Sequence, residues 1–385
     1  MQTPFAKVYL FSKIKKKAIF NRIGDIRVPY IHEHSIRYTM RFPLSLTMNM
    51  ATYILRKKLG RTPKFPLVLM LEPLHACNLK CSGCGRIREY ADTLQKRLSV
   101  EECLHAVTEC DAPIVSICGG EPLLYTEIVE LADKILRLGK HIYLCTNGVL
   151  LEEKLGNFVQ LAVQNRRTKN RLYWNVHLDG TADVHDTIVE KPGTFAQAMS
   201  GIIAAKKAGF YVYTNTTLYK KSTVDDLVAL ADQLQAVNID GMMIAPGYGY
   251  DAVQSDPFLG DTFFLNRAEI HSLFRTIRQT MDRYRITATP LYLDFLCGER
   301  QLPCAAWANP TRNIKGWRSP CYLIADKHYA TYQELIGQTD WSKIGFGNDP
   351  RCQDCMMHCG YEPAAVLFGN RLRDLVRMTL WQMNK

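Results

Sequence analysis

Short apolar runs alternate with amphipathic stretches from about residue 65 to residue 300. Six runs have the length and composition of β-strands, namely Leu67–Leu71, Ile114–Ile117, Ile142–Leu144, Tyr173–Leu178, Tyr211–Thr216 and Met242–Ala245. The stretches between them have the apolar spacing of helices, namely Val100–Cys110, Glu127–Leu138, Glu152–Gln164, Thr194–Ala208 and Val224–Leu234. Strands that alternate with helices predict an α/β fold with a parallel sheet and helical crossovers.

The ends of these elements have recognisable helix signals. Ser99, with Glu102 three residues later, is typical of a capping box, and Gly139 and Gly209 stand where helices are expected to end. Six β/α units are too few for an eight-stranded barrel. We therefore expect a partial (β/α)6 barrel with its site at the carboxyl ends of the strands, followed by a longer helix at about Asn266–Tyr284.

The charge of the chain is concentrated at its beginning. The formal net charge is +11, yet residues 1–66 hold 14 Lys and Arg against two acids, so this segment is +12 and the remainder is −1. We divide the chain into a basic N-terminal extension over residues 1–64, the partial barrel over residues 65–290 and a small Cys-rich C-terminal domain over residues 291–385.

Residues 5–31 of the extension mix apolar side chains with lysines. Three interpretations follow: an amphipathic helix on an anionic membrane surface, a solvated run of charge, or a nucleic-acid site. No nucleic-acid-binding motif accompanies the charge, so we expect no nucleic-acid partner. No window of about 18 apolar residues and no secretory signal is found, which predicts a cytoplasmic protein, peripheral at the inner face of the membrane under the first interpretation.

Three cysteines follow the first predicted strand in the run Cys77-Asn-Leu-Lys-Cys81-Ser-Gly-Cys84. Three thiolates on one short loop suit three irons of a [4Fe–4S] cube, because cysteine is the usual ligand of such clusters. The fourth iron then has no protein ligand in this loop. Zinc is the alternative, but a structural zinc site needs four ligands, and only His75 is near in the sequence.

The spacing of these cysteines resembles the cluster motif of the radical S-adenosylmethionine (SAM) enzymes. The resemblance implies a [4Fe–4S] cluster whose open iron binds the amino and carboxylate groups of SAM, and it implies cleavage of SAM to a 5′-deoxyadenosyl radical. Gly119, Gly120 and Glu121, which end the second strand, match the family's motif for the methionyl amino group.

Polar residues also end later strands of the predicted barrel. The resemblance assigns Asn147, His177 and Asp179 to the ribose or the carboxylate of SAM. Strand-end hydrogen bonding for His177 and helix capping for Asp179 are the alternatives. One departure is Gly83, since the residue before the third cysteine is usually aromatic in this family and packs near the adenine. A glycine there predicts open space at the adenine site.

A closer resemblance, over about four-fifths of the chain, is to the adenosylhopane synthases of hopanoid biosynthesis. The matching stretches are Leu71–Leu74, Tyr143–Asn147, Leu293–Leu296, Gly316–Leu323 and Cys352–Tyr361. The resemblance implies addition of the adenosyl radical to the terminal alkene of diploptene, a C30 hopanoid, and an electron donor such as flavodoxin or ferredoxin.

Addition to the CH2 end of the alkene leaves a tertiary carbon radical, which must gain one hydrogen atom. A thiol suits this step because its S–H bond is weaker than the C–H bond that forms. Cys145 matches the donor cysteine of the family motif, and Cys118 is the competing thiol. Asp294 and the tyrosines near residue 250 are further candidates for shaping the pocket, as is the loop 246–265.

Two other functions stay open from the sequence. The first is a radical SAM enzyme that only abstracts hydrogen, from another isoprenoid or from a peptide. The second is an electron carrier without catalytic activity, which would ligate all four irons with protein and would ignore SAM.

The C-terminal region holds a second group of cysteines. Cys321, Cys352, Cys355 and Cys359 supply four thiolates, Cys304 lies nearby in the sequence, and His358 is a possible replacement ligand. A second iron–sulfur cluster, a structural zinc ion and a cap of unligated thiols are the three alternatives.

Overall fold

The computed structural model describes residues 40–250, 253, 263–369 and 371–383, together with two strands near the N-terminus. The chain divides into two units, Met1–Tyr38 and Thr39–Lys385. In the first unit, β1 (Phe20–Ile23) pairs with β2 (Ile26–Pro29) in an antiparallel hairpin. A helix over residues 5–31 is therefore wrong for these eight residues, and residues 5–19 lie outside the described part.

The second unit is built on one sheet of nine strands, in the order β11-β10-β9-β3-β4-β5-β6-β7-β8. The strands are β3 (Val68–Leu71), β4 (Ile114–Ile117), β5 (His141–Thr146), β6 (Leu172–His177), β7 (Tyr211–Leu218), β8 (Gly241–Pro246), β9 (Thr311–Asn313), β10 (Gly316–Pro320) and β11 (Ala325–Tyr329). β3 to β8 are parallel neighbours in chain order. The predicted α/β fold with six parallel strands is confirmed.

Helices connect and cover these strands. They are α1 (Leu44–Leu59), α2 (Gly85–Glu89), α3 (Val100–Cys110), α4 (Ile128–Arg137), α5 (Leu151–Gln164), α6 (Thr168–Arg171), α7 (Ala182–Ile188), α8 (Thr194–Lys207), α9 (Val224–Ala236), α10 (Arg267–Thr280), α11 (Pro290–Leu296), α12 (Tyr332–Gln338), α13 (His358–Phe368) and α14 (Leu372–Met383). The predicted capping box is present, since Ser99 Oγ accepts from Glu102 N. Gly139 and Gly209 have left-handed backbone conformations just past α4 and α8.

The C-terminal region extends the barrel sheet. β9 pairs in parallel with β3, and β10 and β11 continue as antiparallel neighbours. The sequence did not predict these three strands, because they are short and their pairing joins segments about 240 residues apart. The boundaries proposed after residues 64 and 290 stay predictions, and the sheet crosses the second of them.

Helix α1 closes the end of the barrel where the strands begin. Leu46 packs there with the rings of Tyr173 and Tyr213, while Tyr143 and Phe42 border the same cluster. Burial of these side chains fills the barrel floor and leaves the carboxyl ends of the strands as the open end. Within the described residues, no helix combines the length and the apolar composition required to span a bilayer.

Candidate active site

The three-cysteine loop lies between β3 and α2, at the open end of the barrel. Cys77, Cys81 and Cys84 are all partly exposed. Cys84 N donates to Cys81 O at 3.1 Å and forms a tight turn. Ser82 fastens the turn to the far side of the barrel, since its N donates to Ile188 O and its Oγ donates to Glu190 Oε1.

The thiols of the loop interact electrostatically. Burial raises the pKa of Cys77 to about 11, against backbone hydrogen bonds that lower it. The pKa of Cys81 is also raised, first by burial and then by the neighbouring thiols of Cys84 and Cys77. Ligation of a cationic metal centre would relieve this cost, because the thiolate is the ligating form.

The spread of the thiols distinguishes between a cluster and a zinc ion. Four sulfurs around one zinc lie about 3.8 Å apart, given Zn–S bonds of about 2.3 Å. Within the described residues, the group of three donor atoms that all lie within 4.8 Å of one another contains His177, Asp179 and His185 and no cysteine. The three loop thiols therefore do not converge on one point, as the ligands of a single zinc ion would.

The glycine pair after β4 packs against the cysteine loop. Gly120 N donates to Leu74 O and Glu121 N donates to Ala76 O. Gly119 has φ +111°, and a Cβ on Gly120 would lie 1.9 Å from Ala76 O. The glycines are thus required by close approach of the chain's own loop, a reason that the sequence analysis did not give.

Glu121 holds neighbouring groups in place from a buried position. Its carboxylate accepts from Leu123 N, Thr146 Oγ1 and Asn147 N at 2.7 to 2.9 Å. Burial raises the pKa of Glu121 despite these bonds. Asn147 Nδ2 in turn donates to Asn78 Oδ1 at 2.7 Å, beside Cys77. Glu121 therefore positions Asn147 at the cysteine loop, and its predicted contact with an ammonium group stays a prediction.

His177 and Asp179 form a close pair at the end of β6. His177 Nε2 and Asp179 Oδ2 are 2.7 Å apart, and Thr217 N donates to Asp179 Oδ1. Burial alone would lower the pKa of His177, but Asp179 raises it above its usual value. Asp179 also raises the pKa of Cys81. The structure thus brings this pair close to the cysteine loop.

His185 completes the compact donor group but is poorly suited to bind a metal ion. Its Nδ1 accepts from Asp179 N at 3.2 Å, so the neutral ring carries its proton on Nε2. Burial lowers the pKa of His185 to about 4, which favours this neutral form. Nδ1 is thus engaged in a hydrogen bond and Nε2 is protonated, so neither ring nitrogen offers a lone pair to a metal ion.

Cys145 lies on the inner face of β5, between polar residues of the two neighbouring strands, and is in register with Asn175. Its Sγ is 3.2 Å from Ser116 Oγ on β4 and accepts from Asn175 Nδ2 on β6 at 3.5 Å. Burial raises the pKa of Cys145, so the group remains a thiol at neutral pH. Cys118 is buried whereas Cys145 is partly exposed, which makes Cys145 the more accessible thiol.

The sequence analysis missed Ser116 and Asn175 as partners of Cys145. Each occupies a polar position in an apolar strand, and the parallel register places Asn175 directly beside Cys145. A polar residue that faces inward from a buried strand is the available signal in the sequence. It can be matched to Cys145 only when the register between the strands is known.

The open space predicted beside Gly83 is wrong. A Cβ on Gly83 would lie 2.6 Å from the hydroxyl of Tyr219, which follows β7. Tyr219 is buried and packs its ring against Phe263, with the ring centroids 4.3 Å apart. The aromatic ring beside the third cysteine is therefore supplied from across the barrel.

This arrangement predicts coupling between positions 83 and 219. We expect Gly83→Ala to lower the free energy of unfolding by about 1–3 kcal/mol, because the added methyl overpacks a buried contact. In a Tyr219→Phe background, which removes the hydroxyl, the same replacement is expected to cost clearly less. Urea unfolding of the four proteins measures the coupling.

Gly156→Ala is the matched control, because a Cβ at this site in α5 meets nothing within 4 Å. We expect no loss of stability there. If Gly83→Ala lowers the free energy of unfolding equally with tyrosine and with phenylalanine at position 219, the contact is absent.

Five cysteines line one cavity in the C-terminal region. They are the predicted Cys321, Cys352, Cys355 and Cys359, together with Cys304. No three of these thiols, all of which are described, lie within 4.8 Å of one another. They therefore do not converge on one point, as the ligands of a single zinc ion would.

The surroundings of this cavity suit a cluster. Cys321 Sγ accepts from the backbone N atoms of Leu323 and Ile324 at 3.4 and 3.3 Å. Such donors stabilise the negative charge of ligating sulfurs. Burial raises the pKa of Cys352 to about 11 and that of Cys304 to about 12. His358 does not line the cavity, so its predicted use as a replacement ligand is not supported.

Arg86 joins the two cysteine groups. Its Nε lies 2.7 Å from Glu72 Oε1, and its Nη2 donates to the carbonyl of Tyr322, the residue after Cys321. Burial alone would raise the pKa of Glu72, but Arg86 lowers it to about 2. A buried ion pair therefore holds the C-terminal region against the cysteine loop.

Asp294 does not shape the barrel pocket. Its carboxylate pairs with Arg377 of α14 at 2.6 Å and with Arg278 of α10 at 3.5 Å. The prediction that Asp294 shapes the pocket is wrong, because its carboxylate holds the last helix in place. Tyr250 does approach the cysteine loop, since its ring would overlap a Cβ on Gly85. Most of the loop 246–265 lies outside the described residues.

Two family models match the sequence. Residues 71–234 match the Radical SAM superfamily, and residues 242–378 match a family described as a domain of unknown function, DUF3463. The first match spans β3 to α9 and includes the three-cysteine loop. The chain contains a radical SAM domain.

Related proteins match this radical SAM domain only in part. The AdoMet-dependent heme synthase of Methanosarcina barkeri is 29% identical over 199 residues, which are 50% of this chain and 55% of the relative. The GTP 3′,8-cyclase of Aquifex aeolicus is 28% identical over 185 residues, which are 46% and 55% of the two chains. The chain thus spans about half the length of these curated relatives.

Solved structures share the fold. Streptococcus suis SuiB aligns with a TM-score of 0.57 and 15% identity, over 81% of this chain and 76% of that one. Native anSMEcpe with bound AdoMet and a Cp18Cys peptide aligns with a TM-score of 0.51 and 14% identity, over 82% and 96%. At these identities the likeness supports the radical SAM fold and nothing finer.

A radical SAM domain implies a [4Fe–4S] cluster and SAM, and the residues here fit both. The three thiols are partly exposed on one loop, and raised thiol pKa values are what ligation would relieve. Cys77, Cys81 and Cys84 would hold the cluster. Asn147 contacts the cysteine loop, and the pair of His177 and Asp179 lies near it, so these residues would supply polar groups for SAM.

Proposed function

We propose that the protein is a radical SAM transferase that adds the adenosyl group to the alkene of diploptene and yields adenosylhopane. The reaction class is supported by the radical SAM domain and its cysteine loop. The substrate is supported by the closer sequence resemblance, which includes the C-terminal region. The observation that carries the proposal is the partly exposed thiol of Cys145 on the inner face of the barrel, held between Ser116 Oγ and Asn175 Nδ2.

When bound, the cluster and SAM supply the 5′-deoxyadenosyl radical. The chain's own contribution is to orient the substrate and to complete the reaction. After addition, the tertiary carbon gains the hydrogen atom of the Cys145 thiol. One electron from a flavodoxin- or ferredoxin-type donor and one proton from water then restore that thiol.

The neighbours of Cys145 suit this role. Asn175 donates to the sulfur and fixes its position, and Ser116 is the second polar contact. The raised pKa of Cys145 keeps the hydrogen on the sulfur at neutral pH, which a hydrogen-atom donor requires. A deprotonated thiolate would have no hydrogen atom to give.

A matched pair of substrates tests the proposal. The reconstituted, reduced protein is incubated without oxygen with SAM and either diploptene or its saturated counterpart hopane. We expect mass spectrometry to detect an adenosyl adduct in the reaction with diploptene and none in the reaction with hopane. Release of free 5′-deoxyadenosine in equal amounts with both would support hydrogen abstraction from another isoprenoid or a peptide instead.

We also propose that the C-terminal cavity holds a second [4Fe–4S] cluster. The cavity offers five thiols, no three of which lie within 4.8 Å of one another, and Cys321 accepts from two backbone N atoms. These features support a cluster over zinc. The prediction is that the reconstituted protein binds about eight irons per chain and that Cys355→Ala with Cys359→Ala lowers this to about four. Iron and zinc analysis measures both metals.

Cys297→Ala is the control, because Cys297 is buried at the end of α11 and lies outside the cavity lining. We expect it to retain the full iron content. Four irons in the unmodified chain, or a stoichiometric zinc ion that the double replacement removes, would contradict the second cluster.

A further inference from the structure

The last helix presents its apolar side outward and its polar side inward. Leu372, Leu375, Val376, Leu380 and Met383 lie on one face of α14, which we call the α14 stripe, and are 49% to 78% exposed. The opposite face holds the buried Asp374 and Gln382 and the partly buried Arg377, Met378 and Trp381. An ordinary surface helix of a globular protein directs its large apolar side chains inward, whereas these five of α14 face outward.

The inward polar groups of α14 are firmly paired. Asp374 forms a bidentate contact with Arg300, and Arg377 forms one with Asp294. Gln382 Nε2 donates to Phe42 O at 2.8 Å and to Thr47 Oγ1 at 2.9 Å. These contacts fix the rotation of the helix, so its apolar stripe is held toward the outside.

Helix α1 has a second outward stripe. Leu44, Met48, Leu55 and Leu59 are 54% to 75% exposed and share one face at spacings of four, seven and four residues. Leu46 and Tyr53 lie on the opposite face; Leu46 is buried in the barrel floor and Tyr53 is buried beside Phe65 and Trp307. We call this set of four the α1 stripe.

The two stripes lie on helices that contact each other at one end. Gln382 near the end of α14 contacts Phe42 and Thr47 at the start of α1. Near the end of α1, Lys58 Nζ donates to Leu367 O in α13, the helix that precedes α14. Of the fifteen large apolar side chains that are exposed within the described residues, nine belong to these stripes. Such concentration indicates a binding surface.

The charge around the stripes indicates what binds there. Residues 40–64 hold six Lys and Arg and no Asp or Glu. Arg56 and Lys58 flank the α1 stripe, and Arg371 and Arg373 are exposed at the start of α14. A second copy of the chain would bring these like charges together, which disfavours a dimer. An anionic partner with an apolar interior satisfies both the charge and the stripes.

We propose that the α1 and α14 stripes bind the surface of a bilayer that contains anionic phospholipid. The apolar side chains enter the boundary between headgroups and acyl chains, and the flanking cations contact lipid phosphates. Because α1 closes the floor of the barrel, this surface lies away from the open end that holds the cysteine loop. The proposal is independent of the substrate, so it stands or fails separately from the proposed function.

Flotation of the full chain with vesicles tests the surface. We expect binding to vesicles of equimolar phosphatidylglycerol and phosphatidylcholine, and much weaker binding to phosphatidylcholine alone or at high salt. Leu375→Gln with Leu380→Gln is expected to weaken binding by about tenfold or more, because burial of each leucine is worth roughly one tenfold step. Val159→Gln with Val163→Gln, on exposed positions of α5, is the matched control and is expected to bind normally.

Three outcomes would overturn the proposal. Unchanged binding of the α14 variant would place the contact elsewhere, including the basic residues before α1. Failure of the unmodified chain to bind anionic vesicles would exclude the membrane. A dimer by light scattering that the α14 variant converts to a monomer would assign the stripes to a second copy. Circular dichroism confirms that each variant is folded.

Discussion

Replacement of Cys81 by alanine is expected to abolish SAM cleavage, by about three orders of magnitude or more. The loop offers three thiols, and the loss of one leaves the cluster without a complete ligand set. Burial raises the pKa of Cys81 most, and Cys84, Cys77 and Asp179 raise it further, so its thiol lies among the charged groups of the site. The measurement is 5′-deoxyadenosine release under reducing, oxygen-free conditions, together with the iron content.

Cys103→Ala is the control for this experiment, because Cys103 is a fully buried side chain of α3 without a predicted metal role. We expect it to cleave SAM at the ordinary rate. Cleavage retained by the Cys81 variant would contradict the assignment of the loop. Loss of cleavage in both variants would indicate damage to the fold rather than to the cluster.

Replacement of Cys145 by alanine is expected to separate two steps of the reaction. SAM consumption in the presence of diploptene should continue, whereas adenosylhopane should fall by about a hundredfold or more. The reason is that addition to the alkene does not need the thiol, while completion of the product does. Cys145→Ser should behave like the alanine variant, since an O–H bond is a much poorer hydrogen-atom donor than S–H.

Cys118→Ala distinguishes between the two candidate thiols. If Cys118 were the donor, its replacement would remove the product and Cys145→Ala would not. The structure favours Cys145, because Cys118 is buried whereas Cys145 is partly exposed.

The barrel and its cysteine loop were predictable because their signals are local. The strand Ile114–Ile117 and the helix Val100–Cys110 have the predicted bounds, since the strand is a short, mostly apolar run and the helix has amphipathic spacing that begins at a capping box. The spacing of Cys77, Cys81 and Cys84 specifies the cluster loop without any knowledge of the fold. Signals of this kind depend on neighbours along the chain.

Contacts between distant segments were not predictable in the same way. Tyr219 fills the space beside Gly83 across 136 residues, and the sequence gives no measure of that distance in space. Cys304 joins the C-terminal cavity although its spacing from Cys321 matches no short motif. The orientation of α14, with its apolar stripe outward, was not predictable either, because its polar side is stabilised by Arg300 and Asp294 on other elements.

The most direct test of the account is the reaction of the reconstituted, reduced protein with SAM and diploptene in D2O. The exchangeable Cys145 thiol then carries deuterium. We predict a product at the mass of adenosylhopane with one carbon-bound deuterium. In Cys145→Ala, this product is expected to be lost. Free 5′-deoxyadenosine without an adduct, in amounts that diploptene does not change, would contradict the account.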